Sequence, residues 1–473
     1  MNTLVSSLIT DKSAKRKIRI LEILSVEQKL ITSIELAKQL NCSTRTITSE
    51  INELNTVLPE NWDIISEKAR GYILKKPPTA SLSPIIMSYI QDSLFFKILI
   101  ETFHNKYYSL EKWSQILYVN KITLRSNLKQ FNESILNANK LEFNPGVIKL
   151  NGDEINIRFL YKSFFFSIER YTNVISLPDD LMQMINNALN LYNVKIDFSL
   201  LKVILYVSIH RIISNNFADT KIQFPIIFTP EQSLCFGEII SIIKDYCMVN
   251  LTKNEIDTLN LAFFLCSISD TQQKVETLKY FERGNENYYQ SFLKLVNMII
   301  SNNKRHNIEY DYLKFELCIY FYKLYVAKQY NFSMDCFYTQ PNYLVPSLQE
   351  MYDTNYLIIS KWNHTINQGE FNENDISHLV QHTIHILYAI YSKKKVLFVY
   401  SGNQAYKNLA YTTLKAHFED AINICLNLDN STKYDLIITN DGEASYPTDS
   451  PVYFIHQFIT KKDIQDVKYL LFN

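Results

Sequence analysis

The chain has 473 residues, and its 48 Lys+Arg balance 48 Asp+Glu, so the formal net charge is zero and the total reads against a polyanion partner. Its length implies several domains, and 47% hydrophobic against 20% charged residues is ordinary globular composition. Eight glycines, none closer together than Gly146 and Gly152, exclude both phosphate-cradling glycine loops, and seven scattered cysteines with no C-x-x-C pair suggest neither a zinc ribbon nor a redox centre.

The N-terminus, MNTLVSSLITDKSAKRK, has no basic segment ahead of its apolar residues, so no signal peptide is expected. No apolar run approaches the ~20 residues that span a bilayer. A soluble, cytoplasmic protein without cofactor, metal or membrane contact is expected. Residues 13–24 (SAKRKIRILEIL) predict a helix with a basic leading end. Residues 32–55 (TSIELAKQLNCSTRTITSEINELN) predict two helices across a short turn. Ser33 is expected to cap the first, whose inner face is Leu36, Ala37 and Leu40. Ser43 or Thr44 caps the second, with Ile47, Ile51 and Leu54 inward. Ala37 supplies the small residue that a close helix crossing needs. Residues 64–74 (IISEKARGYIL) predict a hairpin bending at Gly71, which completes a winged helix-turn-helix.

The pattern recurs at an offset of 77 residues. ELAKQLNCSTRTITSEINELN (35–55) falls on KWSQILYVNKITLRSNLKQFN (112–132), with Ile47 on Leu124, Ile51 on Leu128, Leu54 on Phe131 and Asn55 on Asn132. Ser114 takes the place of Ala37, and residues 141–150 (LEFNPGVIKL) predict a second hairpin. At 100° per residue, Arg45, Thr48, Ser49 and Asn52 point away from Ile47, as do Ile122, Arg125, Ser126 and Lys129 from Leu124. Arg suits a guanine edge and Asn an adenine edge, while Thr44, Ser and Thr hydroxyls suit either base or phosphate. Lys68, Arg70, Lys121 and Lys129 suit phosphate, which positions a protein without reading sequence.

From about residue 155 to 392 the chain predicts long helices. A second repeat, at an offset of 112, lays LKVILYVSIHRI (201–212) on LKFELCIYFYKL (313–324), with Arg211 on Lys323. LTKNEIDTLNLAFFLCS (251–267) resembles FNENDISHLVQHTIHIL (371–387), and Thr252-x-x-Glu255 predicts a capping box. Two bundles of about 110–120 residues follow from that repeat. His378, His382 and His385 share one helix face, but without an H-E-x-x-H glutamate they favour a core or interface role over a metal site. Residues 393–473 change character. VLFVY (396–400), YDLIITN (434–440) and VYFI (452–455) predict buried strands that alternate with a helix after the first strand and a closing helix over 459–471, a small α/β domain with a parallel sheet.

Together these residues resemble the Mga/AtxA-like virulence regulators of Gram-positive bacteria, over nearly the whole chain. The most specific stretch, ELAKQLNCSTRTITSEINELN, is similar to the DeoR-type helix-turn-helix. The resemblance implies a multi-domain, mainly α protein. Winged helices would occupy residues 1–78 and 79–158. Domains like the phosphotransferase-system regulation domain (PRD) would occupy 159–280 and 281–392, and an EIIB-like α/β domain 393–473. It further implies a double-stranded-DNA-binding activator that assembles at least to a dimer, with phosphocarrier proteins of the phosphotransferase system as partners and no catalytic activity. The four histidine places of a paired PRD fall on Ile204, Ala262, Glu316 and His382, so regulatory phosphorylation is expected on His382, or on His210 in the same helix as Ile204. Where EIIB proteins carry a phosphorylated cysteine this chain has Tyr400, which cannot be that thiolate nucleophile. Three other readings differ in class: a sugar-operon regulator, an RNA-binding antiterminator and a phosphotransferase component. The last lacks its cysteine, and antiterminators of this type carry a small β-rich RNA-binding domain where this chain has winged helices.

The zero net charge hides a split. Residues 1–149 hold 20 Lys+Arg against 14 Asp+Glu, leaving 28 against 34 for the other 324 residues. The surplus of +6 lies on the two winged-helix units, where a phosphate backbone would lie. It is modest, and it implies that tight binding needs more than one subunit.

Overall fold

The computed structural model describes residues 3–472 apart from 27–28, 68–69, 145, 170, 285, 304–308, 333–345, 392–393, 419–421, 430–432, 442–449 and 456–457. The chain forms two compact units. One comprises Met1–Tyr288, Cys318–Val345 and Phe371–His378; the other comprises Tyr289–Leu317, Pro346–Glu370 and Leu379–Asn473.

The first unit opens with α1 (Thr3–Leu8), α2 (Lys12–Val26), α3 (Ser33–Gln39) and α4 (Thr44–Val57), then the antiparallel hairpin β1 (Asp63–Glu67) and β2 (Gly71–Lys75). Ile20, Leu21 and Leu24 of α2, Leu36 and Ala37 of α3, and Ile47, Ile51 and Leu54 of α4 share one core with Ile64 of β1. Each such Leu or Ile contributes about 1.5–3 kcal/mol by leaving water.

Next come α5 (Ser83–Gln91), α6 (Leu94–Phe103), β3 (Tyr108–Ser109), α7 (Leu110–Ile116) and α8 (Lys121–Phe131). A π-helical turn, Asn132–Leu136, precedes the short strands β4 (Glu142–Phe143), β5 (Val147–Ile148) and β6 (Leu150–Asn151). The expected second hairpin is therefore two small ladders, β4 with β6 and β5 with β3. Trp113, Leu124, Leu128 and Phe131 are buried in its core, with Phe131 stacked on Phe95 at 4.0 Å.

A helical region follows: α9 (Glu154–Glu169), α10 (Asp179–Leu191), α11 (Phe198–Ile213), α12 (Pro230–Cys247), α13 (Lys253–Cys266), α14 (Thr271–Gly284), α15 (Glu286–Asn302), α16 (Tyr310–Gln329), α17 (Pro346–Thr365) and α18 (Glu373–Tyr391). α9 is buried on nearly every side, and its polar residues are buried with it. Arg158 donates to Glu255 at 2.7 and 2.8 Å, to Glu154 at 3.0 Å and to the Asn216 carbonyl at 2.8 Å. Arg211 closes the network on Glu154 at 2.6 and 2.8 Å. The expected capping box on α13 is thus only half formed. Thr252 accepts from the Glu255 amide, but the Glu255 carboxylate turns to Arg158 instead of its own helix end. Lys323, the counterpart of Arg211 in the repeat, is likewise buried and donates to the Ser267 carbonyl at 2.6 Å, and burial lowers its pKa to about 8.

In the second unit Trp362 is buried and donates to the Ser291 carbonyl at 2.9 Å. Its C-terminal part is β7 (Lys394–Val399), α19 (Gln404–Phe418), β8 (Ile422–Cys425), β9 (Leu436–Thr439), β10 (Val452–Phe454) and α20 (Lys461–Phe472). The sheet runs β10-β9-β7-β8, with each pair parallel. Strand β8 escaped the sequence reading because only Ile422 of its four residues is buried. Among the described residues no helix is long and apolar enough to cross a membrane.

Candidate nucleic-acid interface

The entry to α3 is set by Thr32, one residue before the expected Ser33. Its hydroxyl accepts from the Glu35 amide at 3.2 Å, and the Glu35 carboxylate accepts from the Thr32 amide at 2.8 Å, a complete capping box. Those hydrogen bonds, the backbone one foremost, hold the Glu35 carboxyl below the usual range. The turn is pinned through the backbone: the Cys42 amide donates to the Ala37 carbonyl at 3.0 Å. Asn41 takes the left-handed conformation, and Ser43 caps α4 by accepting from the Thr46 amide.

On α4 the inward residues are Ile47, Ile51 and Leu54, and Thr44, Arg45, Thr48, Ser49 and Asn52 are all exposed. Thr48 lies 3.3 Å from the Tyr72 hydroxyl on the hairpin, and Ser49 donates to Glu53 at 3.3 Å. Sequence reasoning missed Glu50. It is 3% exposed on the inner face and accepts from Ser13 at 2.9 Å and from Arg16 at 2.5 and 3.0 Å, which fixes α4 against α2. The signal was available, because at 100° per residue position 50 lies only 40° from Leu54, at the edge of the inward stripe. A carboxylate there needs a cation.

Ile31 forms an isolated bridge beside the hairpin, its amide donating to the Tyr72 carbonyl at 3.0 Å and its carbonyl accepting from the Tyr72 amide at 2.8 Å. Gly71 starts β2 at φ +123°, and a Cβ there would lie 2.2 Å from the Ile31 carbonyl oxygen. Gly71→Ala is therefore expected to cost about 2–3 kcal/mol and to detach the wing from Ile31. An unfolding midpoint in urea equal to wild type would contradict this. Arg70, at the wing tip, is well exposed and pairs with Glu67 at 3.4 Å; Lys68 lies outside the described residues.

The second copy repeats this construction atom for atom at several points. The Val119 amide donates to the Ser114 carbonyl at 3.0 Å, matching Cys42 on Ala37. Tyr118 is left-handed at φ +52°, matching Asn41 at +49°. The caps differ in reach: Asn120 accepts from the Ile122 amide on α8, one matched position earlier than the Thr46 amide that Ser43 takes on α4. Asn55 brackets Ile64 of the first hairpin, donating to its carbonyl at 3.1 Å and accepting from its amide at 2.9 Å. Asn132 brackets Phe143 in the same way at 3.3 and 3.0 Å. On α8, Lys121, Ile122, Arg125, Ser126 and Lys129 are exposed. Lys121 pairs with Glu111, which lowers the Glu111 carboxyl, and Lys129 lies 3.9 Å from Glu133.

His210 and His382 are the histidines expected to carry phosphate. His210 Nε2 is 3.1 Å from His104 Nδ1, its ring stacks on Phe103, and burial lowers its pKa to about 4, with His104 adding to the shift. His378 is buried, His382 half-buried and His385 exposed, so the three do not share one open face. Among the described residues no three His, Cys, Asp or Glu side chains are grouped to hold a metal ion. Ile204 and Ala262 line one small cavity, with Arg158 and Lys162 in its wall. Tyr400 is buried at the end of β7, beside a loop tied by Asn440 to the Ser401 amide and carbonyl, both at 2.7 Å.

Comparison with known proteins agrees with the paired helix-turn-helix geometry. Residues 11–70 match the family model of the M protein trans-acting positive regulator (MGA) HTH domain, and residues 78–165 match that of the Mga helix-turn-helix domain. The chain is 24% identical to the capsule synthesis positive regulator AcpB of Bacillus anthracis, over 98% of this chain and 99% of that one. It is 22% identical to the anthrax toxin expression trans-acting positive regulator of the same organism, over 98% of each. With the capsule synthesis positive regulator AcpA it shares 31% identity over 26% of each chain.

Proposed function

This chain belongs to the Mga/AtxA-like family of transcription regulators and carries that family's helix-turn-helix domains for binding DNA; from that premise we propose that it is a positive regulator of virulence-type genes. The observation that carries the reading is the duplicated module, in which each recognition helix packs on its core and is bracketed through an asparagine to the strand that follows while its polar face stays exposed. Arg45, Thr48, Ser49 and Asn52 in one copy and Arg125 and Ser126 in the other would read bases. Thr44, Arg70, Lys121 and Lys129, together with Lys68, would hold phosphate.

The full-length relatives are named as positive regulators of capsule synthesis and of anthrax toxin expression, which supports the positive sign. We assign the PRD-like and EIIB-like parts of the chain to assembly, at least to a dimer, so that paired recognition helices are presented to DNA together. A gel shift comparing duplex DNA with single-stranded RNA across a salt series tests the reading. Duplex DNA is expected to bind more tightly, with affinity falling steeply as salt rises; RNA binding of equal or greater strength would favour an antiterminator instead.

We place regulatory phosphorylation on His382 ahead of His210, whose Nε2 already faces His104. Incubation with purified, labelled phosphocarrier protein is expected to label wild type and spare His382→Ala. No label on wild type, or label unchanged in both His382→Ala and His210→Ala, would remove the phosphotransferase link.

A further inference from the structure

The two recognition surfaces differ in chemistry at one matched place. In the first copy the left-handed turn residue is Asn41, and the second residue of α4 is Arg45. The same two places in the second copy hold Tyr118 and Ile122. Tyr118 is 97% exposed and Ile122 80% exposed, with Ile116 partly exposed beside them.

Folding does not account for this pair. A bulky residue in the left-handed region is disfavoured, whereas Asn tolerates it. Leaving a tyrosine ring and an isoleucine in water forgoes the whole gain of burying them. Single exposed apolar residues are common and need no explanation. These, however, cluster at the N-terminal end of a recognition helix, the end that meets base edges in helix-turn-helix complexes. Lys121 and Arg125 flank them, and Lys129 follows on the same helix. In the major groove the base feature that takes an apolar contact is the C5-methyl group of thymine.

We propose that the second winged helix reads thymine methyl groups through Tyr118 and Ile122, while the first reads hydrogen-bonding edges through Arg45 and its neighbours. The inference rests on the DNA-binding reading above and names what one half of that surface recognises: a thymine-bearing stretch of duplex, beside the site read by the first copy.

The full chain would be used to select its best duplex from a random-sequence pool. That duplex would then be prepared with thymine and with 2′-deoxyuridine, which lacks only the methyl group. Wild type is expected to bind the uracil duplex about fourfold more weakly for each methyl group it buries. Tyr118→Asn combined with Ile122→Ala is expected to bind both duplexes alike, near the wild-type affinity for the uracil duplex. The Asn relieves the turn and Ala is a good helix former, so the double variant is expected to fold.

Equal affinity of wild type for the two duplexes overturns the proposal. So does a double variant that keeps the wild-type difference, because the methyl groups would then be read elsewhere. A double variant with unchanged DNA binding but a smaller sedimenting mass assigns the pair to a contact between copies, and also overturns it. Failure to select or bind any duplex is a different result, since it removes the DNA-binding reading itself.

Discussion

Arg158→Met is expected to lower stability by about 3–5 kcal/mol, because it leaves the fully buried Glu255 carboxylate without its cation. Methionine fills much of the arginine volume, so the effect isolates charge and hydrogen bonding from packing. The loss is large against the ~5–15 kcal/mol that holds a typical protein folded. Urea unfolding followed by circular dichroism measures it. Adding Glu255→Gln is expected to recover part of the loss, since the orphaned carboxylate is then neutral. A midpoint shift no larger than that of Lys279→Met, whose partner Glu276 is exposed like itself, would show that the network contributes nothing special.

Arg45→Ala together with Arg125→Ala is expected to weaken duplex binding by at least about 30-fold at fixed salt, with the unfolding midpoint unchanged. Both side chains are exposed, so removing them opens no cavity. Each would provide a bidentate contact to guanine, worth roughly 1–3 kcal/mol of discrimination against a wrong base. The single variants apportion the loss between the copies. Unchanged affinity in the double variant would mean that α4 and α8 are not the recognition helices.

Much of this surface was legible from the sequence for one physical reason: helical period alone decides which side of α4 and α8 meets the core. Ile47, Ile51 and Leu54, and likewise Leu124, Leu128 and Phe131, needed no knowledge of distant residues. The repeat extended that legibility to Asn55 and Asn132, although their bracketing of Ile64 and Phe143 became visible only in three dimensions. What sequence reasoning missed depends on partners far away in the chain. Glu50 is explained by Arg16, and Glu255 abandons its capping box for Arg158, 97 residues earlier. Strand β8 carries too few inward residues for alternation to register. Local pattern reports local structure, and charge compensation across a core is not local.

The paired asparagine brackets bear on how quickly and specifically such a reader engages DNA. A strand tied by an asparagine to the end of the preceding helix leaves few independent torsions between the two elements. Association then orders little that was not already ordered, and the entropic penalty falls mainly on rigid-body motion and on the surface side chains. Specificity is sharpened as well, because a stiff two-pronged tool cannot adapt one prong to a wrong site while the other stays in place. Loosening either bracket, at Asn55 or at Asn132, would turn that tool into two weakly coupled fingers.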